Sequence, residues 1–436
     1  MRPVHPLADE LNQKIRAASP VTYELLSQRG RELYFPKGIL SQSAEAKEKA
    51  TRFNATIGEA TEGAGPMVLD SVIAHVKDIS PADAVRYAPA QGRADLREAW
   101  RRKLVDENPT MRERSFGLPI VTHAITHGLG LVGDLFVDPG DVVLIPDMLW
   151  DNYALNFETR LGGVVKTFAT YDGERFNVPA MRAALLAGPA KQLLVLNFPN
   201  NPTGYMPTPA EVAGMRDAVL EAAQAGRRLV VVCDDAYFGL LFDDGAIQES
   251  PFGYFANLHE NVLAVKLDGA TKELFVWGLR CGFLAIAPPR GGDHAAVLAA
   301  LERKLMGAIR AAISNCASLS QSIVVSALRS KSIGAERREK LEILRARAAR
   351  VREVVYRPKY RALWDVYPFN AGYFMCIRLK TPNAEKLRLH LLEKYGVGVI
   401  AMGATDIRIA FSCLEVGQIE PLFECVAEAI GDLAQA

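Results

Sequence analysis

Between residues 119 and 287, short apolar runs rich in Val, Ile and Leu alternate with longer stretches of helical character. The runs lie at 119–122, 142–146, 164–169, 192–197, 228–233, 262–267 and 281–287. Uninterrupted apolar strands separated by helices predict an α/β fold, with a mainly parallel seven-stranded sheet covered on both faces. The stretch 335–352 is highly charged but carries leucines and an isoleucine at helical spacing, which predicts a long exposed helix whose charges form a solvated face. Beyond it, strands at 372–377, 397–400 and 406–411 and helices at 384–395 and 416–433 predict a separate, smaller α+β unit. The first 55 or so residues are polar, Pro-punctuated pieces without a core pattern, expected to form an arm lying on a partner or on the small domain. The expected division is 1–70 as arm and part of the small domain, 71–318 as the large domain, and 319–436 as the C-terminal small domain.

At 436 residues the chain exceeds what a single core usually fills, which agrees with two domains. Net charge is +1 and no run of Lys or Arg is long enough for a nucleic-acid or anionic-membrane surface, so the expected partners are small molecules. Six cysteines are spread along the chain without a C-x-x-C pair, against a disulfide framework or a zinc site. Residues 1–20 lack the apolar stretch of a signal peptide, and no segment reaches the ~18 apolar residues of a membrane span. A cytoplasmic protein is expected.

Three segments stand where predicted strands end, the edge of an open α/β sheet at which ligands bind. Asn197-Phe198-Pro199-Asn200-Asn201-Pro202-Thr203-Gly204 follows LLVLN, and its residue types can be explained by a turn alone. Cys233-Asp234-Asp235-Ala236-Tyr237 follows RLVVV, where an acid can be a helix N-cap. Gly269-Ala270-Thr271-Lys272 follows VLAVKLD, with Arg280 eight residues on, and either cation alone can be a surface charge. Taken together they supply what a pyridoxal 5′-phosphate (PLP) site needs. Lys272 offers the Schiff-base amine, Asp234 an anion for the pyridinium nitrogen, Asn201 and Tyr237 donors for the ring hydroxyl, and Arg280 a cation for the phosphate.

These blocks, in this order and spacing, resemble the class I/II aminotransferases of PLP fold type I, whose signatures are N-P-T-G, D-x-A-Y and S/G-x-x-K followed by G-x-R-x-G. The resemblance implies transfer of an amino group between an L-amino acid and a 2-oxo acid, with Lys272 moving the α-proton. β-Elimination and decarboxylation use the same machinery and stay open.

The resemblance reaches further along the chain. Tyr87, in Arg86-Tyr87-Ala88-Pro89-Ala90-Gln91-Gly92, matches a tyrosine that touches the phosphate in the neighbouring subunit, which implies a homodimer with shared sites. Trp150, in register with Asp138-Pro139-Gly140-Asp141, matches the aromatic residue stacked on the cofactor ring, although it could equally be a core tryptophan. Ala124-Ile125-Thr126 falls at the phosphate loop, where Ile125 replaces a common glycine and leaves backbone amides and the Thr126 hydroxyl as donors. Thr271 is a further phosphate donor. Arg408 matches the arginine that grips the substrate α-carboxylate, and Gly58 a glycine that lets the backbone approach the substrate, here followed by Glu59-Ala60 instead of Glu-Pro. Arg310 is a candidate for a distal carboxylate.

Gly128-Leu129-Gly130-Leu131-Val132-Gly133 is a literal G-x-G-x-x-G with Asp147 and Asp151 about twenty residues on, a dinucleotide fingerprint that would suit an NAD-dependent oxidoreductase. The register set by Asp138-Pro139-Gly140-Asp141 instead puts these glycines inside the helix after the phosphate loop. A winged-helix DNA-binding module would need a longer, more basic N-terminal segment. His123 and His127 lie four apart without a third metal ligand and are read as residues lining the phosphate loop, either of which could touch substrate.

Overall fold

A computed structural model describes residues 4–34, 38–381 and 383–435. Its centre is a seven-stranded sheet in the spatial order Ile120–Thr122, Gly282–Ala287, Val262–Gly269, Arg228–Asp234, Lys191–Asn197, Val142–Pro146, Val164–Phe168. Neighbours pair in parallel, except that Gly282–Ala287 runs antiparallel to both of its partners. The apolar runs are unbroken because helices cover both faces: Leu193, Leu194, Val195, Val231 and Val232 are fully buried. Register brings the strand ends together, with Asp234 opposite Asn197 on one side and Leu267 on the other. The three motif segments therefore leave the sheet side by side.

A second sheet of four antiparallel strands follows the order Trp364–Val366, Phe374–Leu379, Asp406–Ala410, Ile400–Met402. Trp364–Val366 has too few residues to show a pattern in the sequence. The strand expected at 397–400 divides in two: Val397–Gly398 pairs with Phe53–Asn54 and Ile400–Met402 joins the sheet. The chain before residue 55 is largely helical, with Pro6–Ala18, Pro20–Leu25, Gln28–Glu32 and Ile39–Lys49. The first three begin at His5, Ser19 and Ser27, whose side chains accept from the first-turn amides. Gln42 fastens the fourth to the small sheet, exchanging two hydrogen bonds with the Ala401 backbone at 2.8 and 3.1 Å.

The charged helix is longer than the sequence suggests, Ile333–Val355, and it is not simply exposed. It buries Leu344, Arg347, Ala348, Val351, Val354 and Val355 and packs along Val416–Gln435. Its buried arginine bonds groups distant in sequence, Ser412 and Glu415, which local periodicity cannot reveal. Among the described residues no helix is long and apolar enough to cross a membrane.

Candidate active site

The cleft at the strand ends is walled by side chains from both sheets, including Trp150, Asn201, Asp234, Tyr237, Lys272 and Arg408. Gly58, Ile125, Thr126, Thr271 and Arg280 also line it. These eleven residues were all singled out in the sequence, and the fold brings them together from positions 58 to 408.

Asp234 ends its strand 1 % exposed. Its Oδ2 accepts a 2.6 Å hydrogen bond from the Tyr153 hydroxyl and its Oδ1 accepts from the Ala236 amide. Burial lifts the Asp234 pKa to about 6, against the pull of the Tyr153 hydrogen bond and the Lys272 charge. A buried carboxylate left this short of positive charge suits a cationic ligand atom. Tyr153 went unnoticed in the sequence, and the available signal was its place three residues after Trp150, one helical turn along. Asn197 was likewise missed: its Nδ2 donates to the Asp234 carbonyl and its Oδ1 accepts from the Asn201 amide, tying two motif segments together.

Lys272 lies on the one-turn helix Ala270–Glu273, and its Nζ sits 4.9 Å from the centre of the Tyr237 ring. The residue keeps some contact with solvent, yet it lies deep among cleft walls. Burial brings its pKa down to about 8, Asp234 resisting and Arg280 adding to the drop. Burial also raises the pKa of the Tyr237 hydroxyl.

At the other end of the cleft the helix Ala124–Phe136 begins. Ala124 holds φ +60°, and Ile125 and Thr126 occupy the first turn, whose amides have no partner within the helix. Arg280, half-buried and also left-handed at φ +50°, completes this end, so free amides, two hydroxyls and a guanidinium converge there. That set suits a phosphate dianion. His123 and His127 are not among the lining residues. The His127 Nδ1 accepts from the His123 amide at 3.0 Å, and burial lowers its pKa to about 4. It therefore serves the start of this helix as a neutral imidazole.

Arg408 is 1 % exposed on the strand Asp406–Ala410. It donates to Asn201 Oδ1 at 3.1 Å and to the Thr56 carbonyl at 2.6 Å, and its guanidinium lies 4.2 Å from the Phe374 ring centre. Its Nε is buried without a partner. Phe374 was not anticipated; a Cβ on Gly58 would stand 3.4 Å from both its ring and the Tyr237 hydroxyl, so glycine keeps this passage open. Gly204 makes the junction of the two sheets possible: at φ +77° its Cβ would lie 2.1 Å from the Phe374 carbonyl oxygen.

Two of the sequence candidates stand apart. Tyr87 is 91 % exposed and does not line the cleft of its own chain. Arg310 is exposed on the helix His294–Ala312, where it donates to Ser314 Oγ, and it too lies outside the cleft. The G-x-G-x-x-G glycines are within the helix Ala124–Phe136, as the register required. Cβ atoms on Gly128, Gly130 and Gly133 would meet Leu267, Arg160 and Leu161 at 2.8, 2.6 and 2.1 Å, so these glycines serve close packing and not a dinucleotide.

The family described as aminotransferase class I and II matches residues 53–426. A probable aspartate/prephenate aminotransferase of Aquifex aeolicus is 26 % identical over 346 residues, 77 % of this chain and 81 % of that protein. A probable N-succinyldiaminopimelate aminotransferase of Mycobacterium tuberculosis is 26 % identical over 55 % of this chain and 58 % of its own length. Among solved structures, an aminotransferase from Anaerococcus prevotii superposes with a TM-score of 0.82 at 23 % identity, covering 93 % of this chain and 99 % of that one. With the family match spanning every strand of both sheets, the chain belongs to the class I and II aminotransferases and is a transferase enzyme of that fold.

Proposed function

We propose that the cleft holds PLP and passes an amino group between an L-amino acid and a 2-oxo acid. The observation that carries this reading is the pairing of Asp234, a buried carboxylate short of positive charge, with Lys272, an amine whose pKa burial has lowered to about 8, in one cleft. Bound there, PLP supplies an aldehyde carbon that amines attack and a protonated pyridine ring that withdraws electrons.

Asp234 would hold the ring nitrogen, Asn201 and Tyr237 the ring hydroxyl, and Trp150 would offer its indole to the ring. The phosphate falls to the amides of Ile125 and Thr126, the hydroxyls of Thr126 and Thr271, and Arg280. Lys272, whose pKa of about 8 leaves a usable fraction of free amine near neutral pH, would take the proton from the substrate α-carbon and deliver it to the carbon on the far side of the amino nitrogen. Arg408 binds the α-carboxylate, and its unpartnered buried Nε supports that role. Gly58 gives the substrate room. The six cysteines, all unpaired, support a reducing cytoplasmic setting.

The protein should be purified, loaded with PLP and mixed with single amino acids. We expect loss of the cofactor's visible band together with recovery of the matching 2-oxo acid. Release of carbon dioxide with the amine, or of free ammonia together with the oxo acid while the visible band persists, would replace transamination by a decarboxylase or lyase reaction.

Tyr87 belongs to the same reading. Its near-complete exposure beside Val85, itself 81 % exposed, supports burial in a second copy of the chain, where it would reach the neighbour's phosphate. Arg310 would have to serve a distal carboxylate in the same way. Mixed dimers of inactive Lys272→Ala chains with inactive Tyr87→Ala chains should regain activity, because one of the two sites keeps both residues. No recovery despite proven subunit exchange would confine Tyr87 to its own chain.

A further inference from the structure

Lys272 is carried by a helix of four residues, Ala270–Glu273, followed by Phe275 in left-handed backbone at φ +54°. A single turn does not hold itself together. What fixes it is found in its last side chain, Glu273, which is 3 % exposed. Glu273 Oε1 accepts from Lys103 Nζ at 2.6 Å and from Arg337 at 2.7 Å, and Glu107 accepts from the same two cations at 2.5 and 2.9 Å. Two cations and two carboxylates thus close a neutral ring directly behind the active lysine. The loop after Tyr237 lies against it: Gly239, at φ +80°, leaves room where a Cβ would stand 3.2 Å from the Arg337 guanidinium.

The ring joins three parts of the chain. Lys103 and Glu107 come from the helix Ala94–Glu107, Glu273 from the lysine turn, and Arg337 from the helix Ile333–Val355. Ten residues further along that last helix, about 15 Å away, Arg347 donates to the Ser412 carbonyl at 2.6 Å and to Glu415 at 2.8 Å. Ser412 follows the strand of Arg408 by two residues, and its hydroxyl donates to the Glu59 carbonyl beside Gly58. One helix is therefore fastened near its start to the Lys272 turn and, past its middle, to the segments bearing Arg408 and Gly58.

We propose that Arg337 is a positioning residue: by clamping Glu273 and Glu107 it locks the Lys272 turn to the helix Ile333–Val355, holding Lys272 in register with Arg408 across the cleft. The inference rests on Lys272 as the group that moves the substrate proton. In the PLP-loaded enzyme, Arg337→Met is expected to lower kcat about tenfold or more while the KM of the amino donor stays within about twofold, since the proton-transfer geometry is disturbed and the carboxylate grip is not. The primary isotope effect with an α-deuterated donor should rise, because proton transfer then limits turnover more strongly. Arg337→Lys, able to pair with one carboxylate at a time, should recover part of the loss. If Arg337→Met does not fold, Glu107→Gln, at the half-exposed end of the ring, loosens the same guanidinium and should give a milder form of the same split. A folded Arg337→Met enzyme with unchanged kcat and isotope effect overturns the proposal. So does a parallel fall of kcat, cofactor content and melting temperature that Arg337→Lys does not relieve. Full activity in Lys272→Ala would instead remove the reading of the site on which the inference rests.

Discussion

Lys272→Ala is expected to lower amino transfer roughly ten-thousandfold, because one substitution removes both the attacking amine and the acid–base group. The fold should survive: the side chain lies against the Tyr237 ring and its amine has no hydrogen bond that would be left broken, while Glu273 keeps its two ion pairs. Cofactor should still be retained, since the phosphate end and Asp234 are untouched, but no longer covalently. Borohydride reduction and peptide mapping of the parent protein check the assignment, and a pyridoxyl group on any other lysine would move it. Stability offers an independent check on the apoprotein. A lysine whose folded pKa is depressed to about 8 gives up its proton in the folded state while the unfolded chain keeps it to about 10.5. The parent should therefore gain stability as pH rises from about 8 to about 10.5, and Lys272→Ala should lack that gain.

The large sheet was legible because its strands are buried on both faces, so their apolar runs are continuous and their ends fall where the three motifs begin. The site was legible for a different reason: Lys272, Asp234, Asn201 and Arg280 are spaced to meet one ligand, and spacing survives in a sequence. What remained hidden was held by contacts distant along the chain. Tyr153 bonds Asp234 across 81 positions, and Phe374 meets Arg408 only because the two strands pair in the small sheet. The helix Ile333–Val355 misled for the same cause. Arg337 and Arg347 look like solvated charges in the sequence, and only the fold shows carboxylates and a carbonyl waiting for them. In the first 55 residues, Pro20–Leu25 and Gln28–Glu32 are too short to show a period and are fastened by their caps, and Ile39–Lys49 is fastened by Gln42. Pro6–Ala18, by contrast, is amphipathic over thirteen residues, and its apolar face went unread among the polar positions around it.

Asp234→Asn is expected to separate catalysis from stability. The amide matches the carboxylate in shape: its oxygen can accept from the Ala236 amide and its NH2 can donate to the Tyr153 hydroxyl, whose own proton then has to turn toward the cleft that Tyr153 lines. It cannot hold a proton on the ring nitrogen, and loss of that fixed charge should cost about 3–4 kcal/mol at the barrier, roughly 10²–10³-fold in kcat. PLP affinity should fall far less, since the phosphate contacts remain. The apoprotein should behave in the opposite way. Asp234 has its pKa raised to about 6, so the folded state retains a proton that the unfolded chain has already released near 3.8. Its contribution to stability is present below about pH 4 and lost as pH rises to about 6, a difference of about 3 kcal/mol. Above pH 6 the apo Asp234→Asn variant should therefore melt higher than the parent, and the gap should close as pH falls to 4. PLP added at pH 7.5 should narrow the gap as well, because the ring nitrogen gives the carboxylate the positive partner it otherwise lacks. Melting curves of both proteins with and without PLP, read beside kcat, decide the matter. A variant that is less stable than the parent at pH 7.5 and loses rate and affinity alike would make Asp234 a structural cap for the Ala236 amide and return the cofactor's anion to another residue.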